Sequence, residues 1–283
     1  MSRPTPSSSN EPPHKWTSLG PCPRVCRLGL ASRGNTDLAA EDVHLALDRG
    51  VNYLNWCGTL NGMREAIAEL GPRRHSVVIA VQLEARSARG AADEIRRALR
   101  DLRTDYLDAV TYYYVESREE WNEISSPGGA AETLEAAKAT GTVRMIGLTT
   151  HQRPLAAALA QTGRLDLLMI RYNAAHRGAE RDIFPTTDRL RLPIVAFTAL
   201  RWGALLHLTP DDPPSFTPPS AADCYRFALA HPSVSVVLAA PNTRAELLED
   251  LSVLADWRPL PPDRLAALTS HGERVRRHAG PFP

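Results

Sequence analysis

Short apolar runs alternate about eight times with segments whose apolar residues recur every three or four positions, and nothing else restricts the fold of this chain as much. Val77–Val81 shows the first kind: it is continuously apolar, too short for a helix, and flanked by polar residues, as a strand covered on both faces should be. Ala91, Ile95, Leu99 and Leu102 show the second, with Arg, Asp and Glu between them. Further strands read over Arg27–Ala31, the run ending at Leu54, Tyr106–Thr111, Val143–Leu148, Leu165–Ile170, Pro193–Phe197 and Val234–Ala239. Helices read on the Ala40, Val43, Leu47 face, then over Ala130–Thr140, Pro154–Gln161, Glu180–Leu190, Ala221–Ala230 and Arg244–Asp256. Thr36 or Asp37 can cap the first helix, and Gly50, Gly141 and Gly163 stand where helix C-terminal glycines belong.

Crossover helices between successive strands impose a parallel sheet, and eight units close into a (β/α)₈ TIM barrel more readily than they stay open. The 283 residues suit one such barrel, which needs about 250. A doubly wound sheet is the competing architecture, but no Gly-x-Gly-x-x-Gly follows any strand. Before the barrel, Gly20-Pro21 breaks Trp16–Cys26 into a short hairpin, so residues 1–15 read as a disordered tail and 16–283 as one barrel. Two connections, Glu116–Gly129 and the proline-rich Arg201–Ser220, exceed ordinary βα loops and fall on the C-terminal rim, where lids form.

A formal charge of +1 gives no electrostatic case for nucleic acid or an anionic membrane, which leaves a small-molecule partner. Cys22, Cys26, Cys57 and Cys224 are too few and scattered for a disulfide framework, and no run of 18 apolar residues or signal-peptide core is present. The expectation is a cytoplasmic protein with reduced thiols. His75, His231 and His278 lack metal-ligand spacing, so no metal is expected. Oligomeric state is not legible.

The mouth of the barrel falls on Gly50–Gly62, where an apolar run delivers Asn55, Trp56 and Cys57 and a glycine-bearing loop leads into a helix. Here the motifs resemble the aldo-keto reductases: Arg27-Leu28-Gly29-Leu30, Asp105-Tyr106-Leu107-Asp108, Gly141–Leu148, Tyr172-Asn173 and Pro232–Leu251, in order along essentially the whole chain. The resemblance implies carbonyl reduction with NADP(H) and a tetrad of Asp, Tyr, Lys and His. Those four positions fall on Asn55, Leu60, Gln82 and Tyr113, so all four are replaced. An Asp–Lys pair that becomes two amides leaves no buried charge, and Asn55 and Gln82 can exchange a hydrogen bond where they meet.

The resemblance also implies a cofactor site. Thr149, Thr150 and Met169 stand where Ser, Asn and Gln would hold the nicotinamide carboxamide, Phe197 where a ring would stack on it, and Leu200 in the loop beyond. Ala239-Ala240 replaces a Pro-Gly turn and Asp250 an Asn near the adenine, while Asn242, Thr243 and Arg244 open the helix that would receive the 2′-phosphate. Polling the other strand ends adds Arg33, Asn35, Glu84, Glu116, His151, Gln152, Arg171, Asn173, His176, Arg177, Arg201 and Trp202.

Tyr113 with His151 is the pair expected to replace the missing acid, because a tyrosine titrating near 10 needs a neighbour to act at neutrality. Along an extended strand Tyr112 and Tyr114 would share one face and Tyr113 the other. Arg171, Arg177 and Arg201 are the candidates for an anion clamp. Two functions follow: an NADP(H)-dependent oxidoreductase of small carbonyl compounds with a nonstandard site, or a non-catalytic barrel that binds a ligand or a protein.

Overall fold

The computed structural model describes residues 15–32 and 38–278. The expected tail to residue 14, the cap at Thr36 or Asp37, and the rim groups Arg33 and Asn35 lie outside the described residues. The hairpin forms as read: β1 (Trp16–Leu19) pairs antiparallel with β2 (Cys22–Cys26), turning at Gly20 with φ +50°. A Cβ on Gly20 would stand 2.6 Å from Met145 Sδ, so a glycine lets the turn press against the barrel floor. Leu19, Cys22 and Val25 join Tyr53, Val78, Met145 and Val236 in one apolar cluster that fills the lower lumen.

The barrel then runs β3 (Leu28–Ala31), α1 (Ala40–Asp48), β4 (Tyr53–Trp56), α2 (Gly62–Ala68), β5 (Val78–Leu83), α3 (Ala88–Asp101), β6 (Leu107–Tyr112), α4 (Arg118–Ser125), α5 (Ala130–Ala139), β7 (Val143–Thr150) and α6 (Arg153–Ala160). It continues with β8 (Leu167–Arg171), α7 (Ala179–Asp182), α8 (Phe184–Leu190), β9 (Ile194–Phe197), α9 (Ala221–Ala230), β10 (Val234–Ala239), α10 (Arg244–Leu251) and α11 (Pro262–His278). Strands β3 to β10 pair in parallel in chain order, and β10 closes on β3. This is a (β/α)₈ barrel with a hairpin across its floor, and the doubly wound alternative falls away.

Three local readings change. The helix expected over Glu180–Leu190 is two short ones, because Pro185 lacks an N–H and its ring clashes with the preceding turn. The helix from Arg244 stops at Leu251 and continues only as a 3₁₀ turn, Ser252–Leu254. The long loop after β6 contains α4, announced by Ser117-x-x-Glu120: the Ser117 side chain accepts from Glu120 N at 3.1 Å, and Glu120 Oε2 accepts from Glu116 N at 2.8 Å.

Helix α11, unread from the sequence, crosses the rim. A Cβ on Gly272 would lie 2.1 Å from Ala174 O, so α11 rests directly on the backbone after β8. It also holds the long loop after β9. Buried Asp212 accepts from Thr209 N (2.6 Å) and from Arg274 Nε (2.6 Å), and sits 3.0 Å from His271 Nδ1. Burial opposes its ionised form, yet those partners hold the carboxyl well below the usual range. The stiffness expected of this loop from its prolines therefore has a second source.

Candidate active site at the barrel mouth

Register places the expected residues on neighbouring strands: Asn55 beside Ala80, Gln82 beside Thr111, Thr149 beside Met169, Arg171 beside Phe197. Asn55 is buried; its Nδ2 donates to Cys57 Sγ at 3.4 Å, and its Oδ1 has no hydrogen-bond partner among the described residues. Gln82 Nε2 reaches Met169 Sδ at 3.9 Å, a weak acceptor. No hydrogen bond joins the two amides, so the exchange expected of them does not occur: each has been drawn to a sulfur. Thr149 Oγ1 turns to Thr111 Oγ1 at 3.3 Å, deep in the lumen. Leu60, at the family's tyrosine position, is 79% exposed and stands in solvent.

No lysine is positioned to replace the missing one. The sequence has two, Lys15 and Lys138. Lys15 Nζ donates to Arg49 O beside the hairpin, and Lys138 pairs with Asp166 just before β8. Both sit at the floor end of the strands.

Beyond β6 the chain bends sharply. Tyr114 takes φ +42°, ending the alternation of an extended strand. The expectation that Tyr112 and Tyr114 share a face therefore fails: Tyr112 packs edge-on to Trp121 on the helix side at 5.7 Å, while Tyr114 turns toward the mouth. Its ring lies 4.1 Å from Tyr113 and stacks on His151 at 4.5 Å, with Phe197 5.9 Å from His151. Tyr114 is the ring stacked on His151, with Tyr113 beside Tyr114.

Glu116 fixes that histidine. Its Oε1 accepts from His151 N at 2.9 Å and sits 3.1 Å from Nδ1, while Oε2 accepts from Gln152 Nε2. A carboxylate partner puts the proton on Nδ1 and leaves Nε2 as the proton-accepting nitrogen. Burial pushes the His151 pKa down, Glu116 opposes the shift and Arg171 adds to it. A cavity of about 190 Å³ opens beside this rim, lined in part by Cys57, Gln82, Glu84 and Arg97.

The loops after β8 and β9 are tied by Asn173, whose Nδ2 donates to Thr198 O at 2.8 Å and whose Oδ1 accepts from Ala175 N. His176 lies against the same amide. Burial first, then the charges of Arg171 and Arg201, push its pKa down to about 3. Arg177 does not join them, because it pairs with Glu180, which also accepts from Tyr172 Oη.

The last predicted group lies apart, at α10. Thr243 caps the helix by accepting from Glu246 N, and Glu246 Oε2 accepts from Asn242 N at 2.6 Å. Arg244 pairs with Asp42 and, at 3.0 Å, with Glu41, both on α1. Leu200 packs against the helix-side core. Half-buried Phe197 and the unpartnered acceptor of Asn55 thus remain at the mouth, whereas Arg244 and the Asn242 N–H, expected to hold a phosphate, are taken by carboxylates. The Thr243-x-x-Glu246 spacing is a capping-box signature, so that outcome was readable. The pairing of Arg244 with α1 was not, since it joins residues some 200 positions apart.

The profile of the aldo/keto reductase family matches residues 27–223. Among solved structures, an aldo-keto reductase from Bacillus halodurans in its holo form is similar at TM-score 0.75 and 18% identity, covering 91% of this chain and 96% of that one. An aldo-keto reductase from Klebsiella pneumoniae in complex with NADPH is similar at TM-score 0.73 and 17% identity, over 92% and 95% of the two chains. A further Klebsiella pneumoniae structure, with NADP and acetate, gives 0.73 at 18% identity over the same shares. At these identities the likeness is one of fold. No curated protein matches the sequence.

Proposed function

The chain belongs to the aldo/keto reductase family, and from that premise we propose that it is an oxidoreductase of small carbonyl compounds, working through a nicotinamide dinucleotide and a nonstandard site. The same reading takes residues 16–283 as one barrel unit acting on small molecules in the cytoplasm. The observation that carries it is the rim itself, where Glu116 orients His151, aromatic rings flank that histidine, and Asn55 leaves a buried acceptor unanswered. An unsatisfied buried amide oxygen costs about 1–3 kcal/mol, and a polar ligand atom is what relieves it.

The dinucleotide supplies or takes a hydride; the chain's residues must hold the substrate and carry the proton. Phe197 offers a ring face to stack on, and Asn55 Oδ1 accepts a hydrogen bond from the bound group. His151, its Nδ1 proton directed at Glu116, presents Nε2 as the proton acceptor. With Nδ1 held by Glu116, Nε2 is placed to take the proton in alcohol oxidation. In the reducing direction Tyr113 is the donor. Without a lysine beside it, that direction is slow.

Titration of NADH and of NADPH, followed by the cofactor's fluorescence, tests this reading. Saturable binding of either supports it, and Tyr113→Phe should then abolish residual reduction while binding persists. Absence of binding at high micromolar concentrations of both would favour the second reading, a non-catalytic barrel. The specific observation behind that alternative is that all four tetrad positions are replaced and both lysines lie at the other end.

A further inference from the structure

The turn that opens α10 disagrees with the phosphate expected there. Two kinds of donor would hold an anion at such a place, the backbone N–H groups before the helix and the nearby guanidinium. One of each is engaged within the chain. Glu246 Oε2 accepts from Asn242 N at 2.6 Å, while Arg244 lies between Asp42 and Glu41. The Asp42 side chain is only 10% exposed, so it cannot swing into water to free its partner. The guanidinium thus faces two carboxylates, and a third holds the Asn242 N–H.

A phosphate monoester brings a charge of about −1.5 to −2 at neutral pH. It would have to displace Glu246 from the N–H and Asp42 or Glu41 from Arg244, then sit beside the acids it displaced. A ribose with a free 2′-hydroxyl meets the opposite situation: it can donate to a carboxylate, the way an acid selects the unphosphorylated dinucleotide in other folds, whereas an arginine accommodates the 2′-phosphate.

We infer that this chain selects NAD(H) against NADP(H), with Glu41, Asp42 and Glu246 as the residues that exclude the 2′-phosphate. The inference rests on the dinucleotide reading above. It sharpens that reading by reassigning Arg244 from phosphate ligand to partner of α1.

Fluorescence titration at low salt of NADH against NADPH should give a preference for NADH of roughly tenfold or more, the ratio that corresponds to one good charge-assisted contact. Glu41→Gln combined with Glu246→Gln keeps the Thr243 cap and should shrink the NADH-over-NADPH preference several-fold, chiefly by tightening NADPH; circular dichroism melting shows whether the variant is folded. Tighter binding of NADPH than NADH to the wild-type chain overturns the inference while the dinucleotide reading stands. Binding of neither overturns both. A preference for NADH that the double variant leaves unmoved overturns the assignment to these carboxylates.

Discussion

Asn52 and Asn55 stand three positions apart and meet opposite fates. Asn52, at the floor end of β4, accepts from Cys26 N at 2.7 Å and donates to Arg24 O and Ser76 O at 2.9 and 3.1 Å. It stitches the hairpin to the barrel with every donor and acceptor used. Asn55, one turn of pleat higher, donates only to a sulfur and leaves its oxygen without a partner. The floor around Asn52 is equally complete: Asp108 pairs with Arg74 at 2.8 Å and Arg144 at 3.1 Å and accepts from Ile79 N. Paired charges knit the floor, whereas the amides Asn55 and Gln82 at the mouth reach only sulfurs. The unmet acceptor of Asn55 lies at the open end of the strands, where a ligand atom can answer it.

The largest test of this contrast is Asp108→Ala. It removes the carboxylate partner of Arg74, whose side chain is 12% exposed, and should cost about 3 kcal/mol in urea unfolding. A loss under about 1 kcal/mol would mean that the floor is no more tightly built than the mouth. Next comes the pair of asparagines: Asn52→Ala should cost about 1–3 kcal/mol and Asn55→Ala clearly less, since one removes satisfied partners and the other an orphan. Equal losses would erase the distinction drawn here.

The smallest effect concerns Asp250, buried behind the mouth beside Tyr225. Burial pushes its carboxyl up to about 7, reinforced by Glu249 and Glu246 and opposed by Tyr225. A carboxyl whose folded pKa is raised contributes stability that is full below its unfolded value near 4 and fades as pH rises through about 7. Asp250→Asn, the residue type the family resemblance puts there, should therefore raise Tm by a few degrees at pH 8 and by little at pH 5. A larger gain at pH 5 would reverse the sign.

Most of the barrel was legible because its strands are uninterrupted apolar runs and its helices end at glycines; α9 and β10 begin and end where periodicity places them. Helix α11 was not, although its buried residues Leu268, His271, Gly272 and Val275 keep helical spacing. Two of those four are a histidine and a glycine, which carry no apolar signal. Their reasons for burial, an aspartate and a carbonyl on distant loops, exist only in three dimensions. The tetrad replacements could be read residue by residue, but not that Asn55 and Gln82 would turn to sulfurs or that Tyr114 would leave the strand through a positive φ. Local sequence sets which groups reach the rim; long-range pairing sets what remains for a ligand.

The hairpin under the barrel has one more implication. With Gly20 seated on Met145 and the lower lumen packed, the described residues close the barrel at its floor. The way in at the mouth is therefore also the way out.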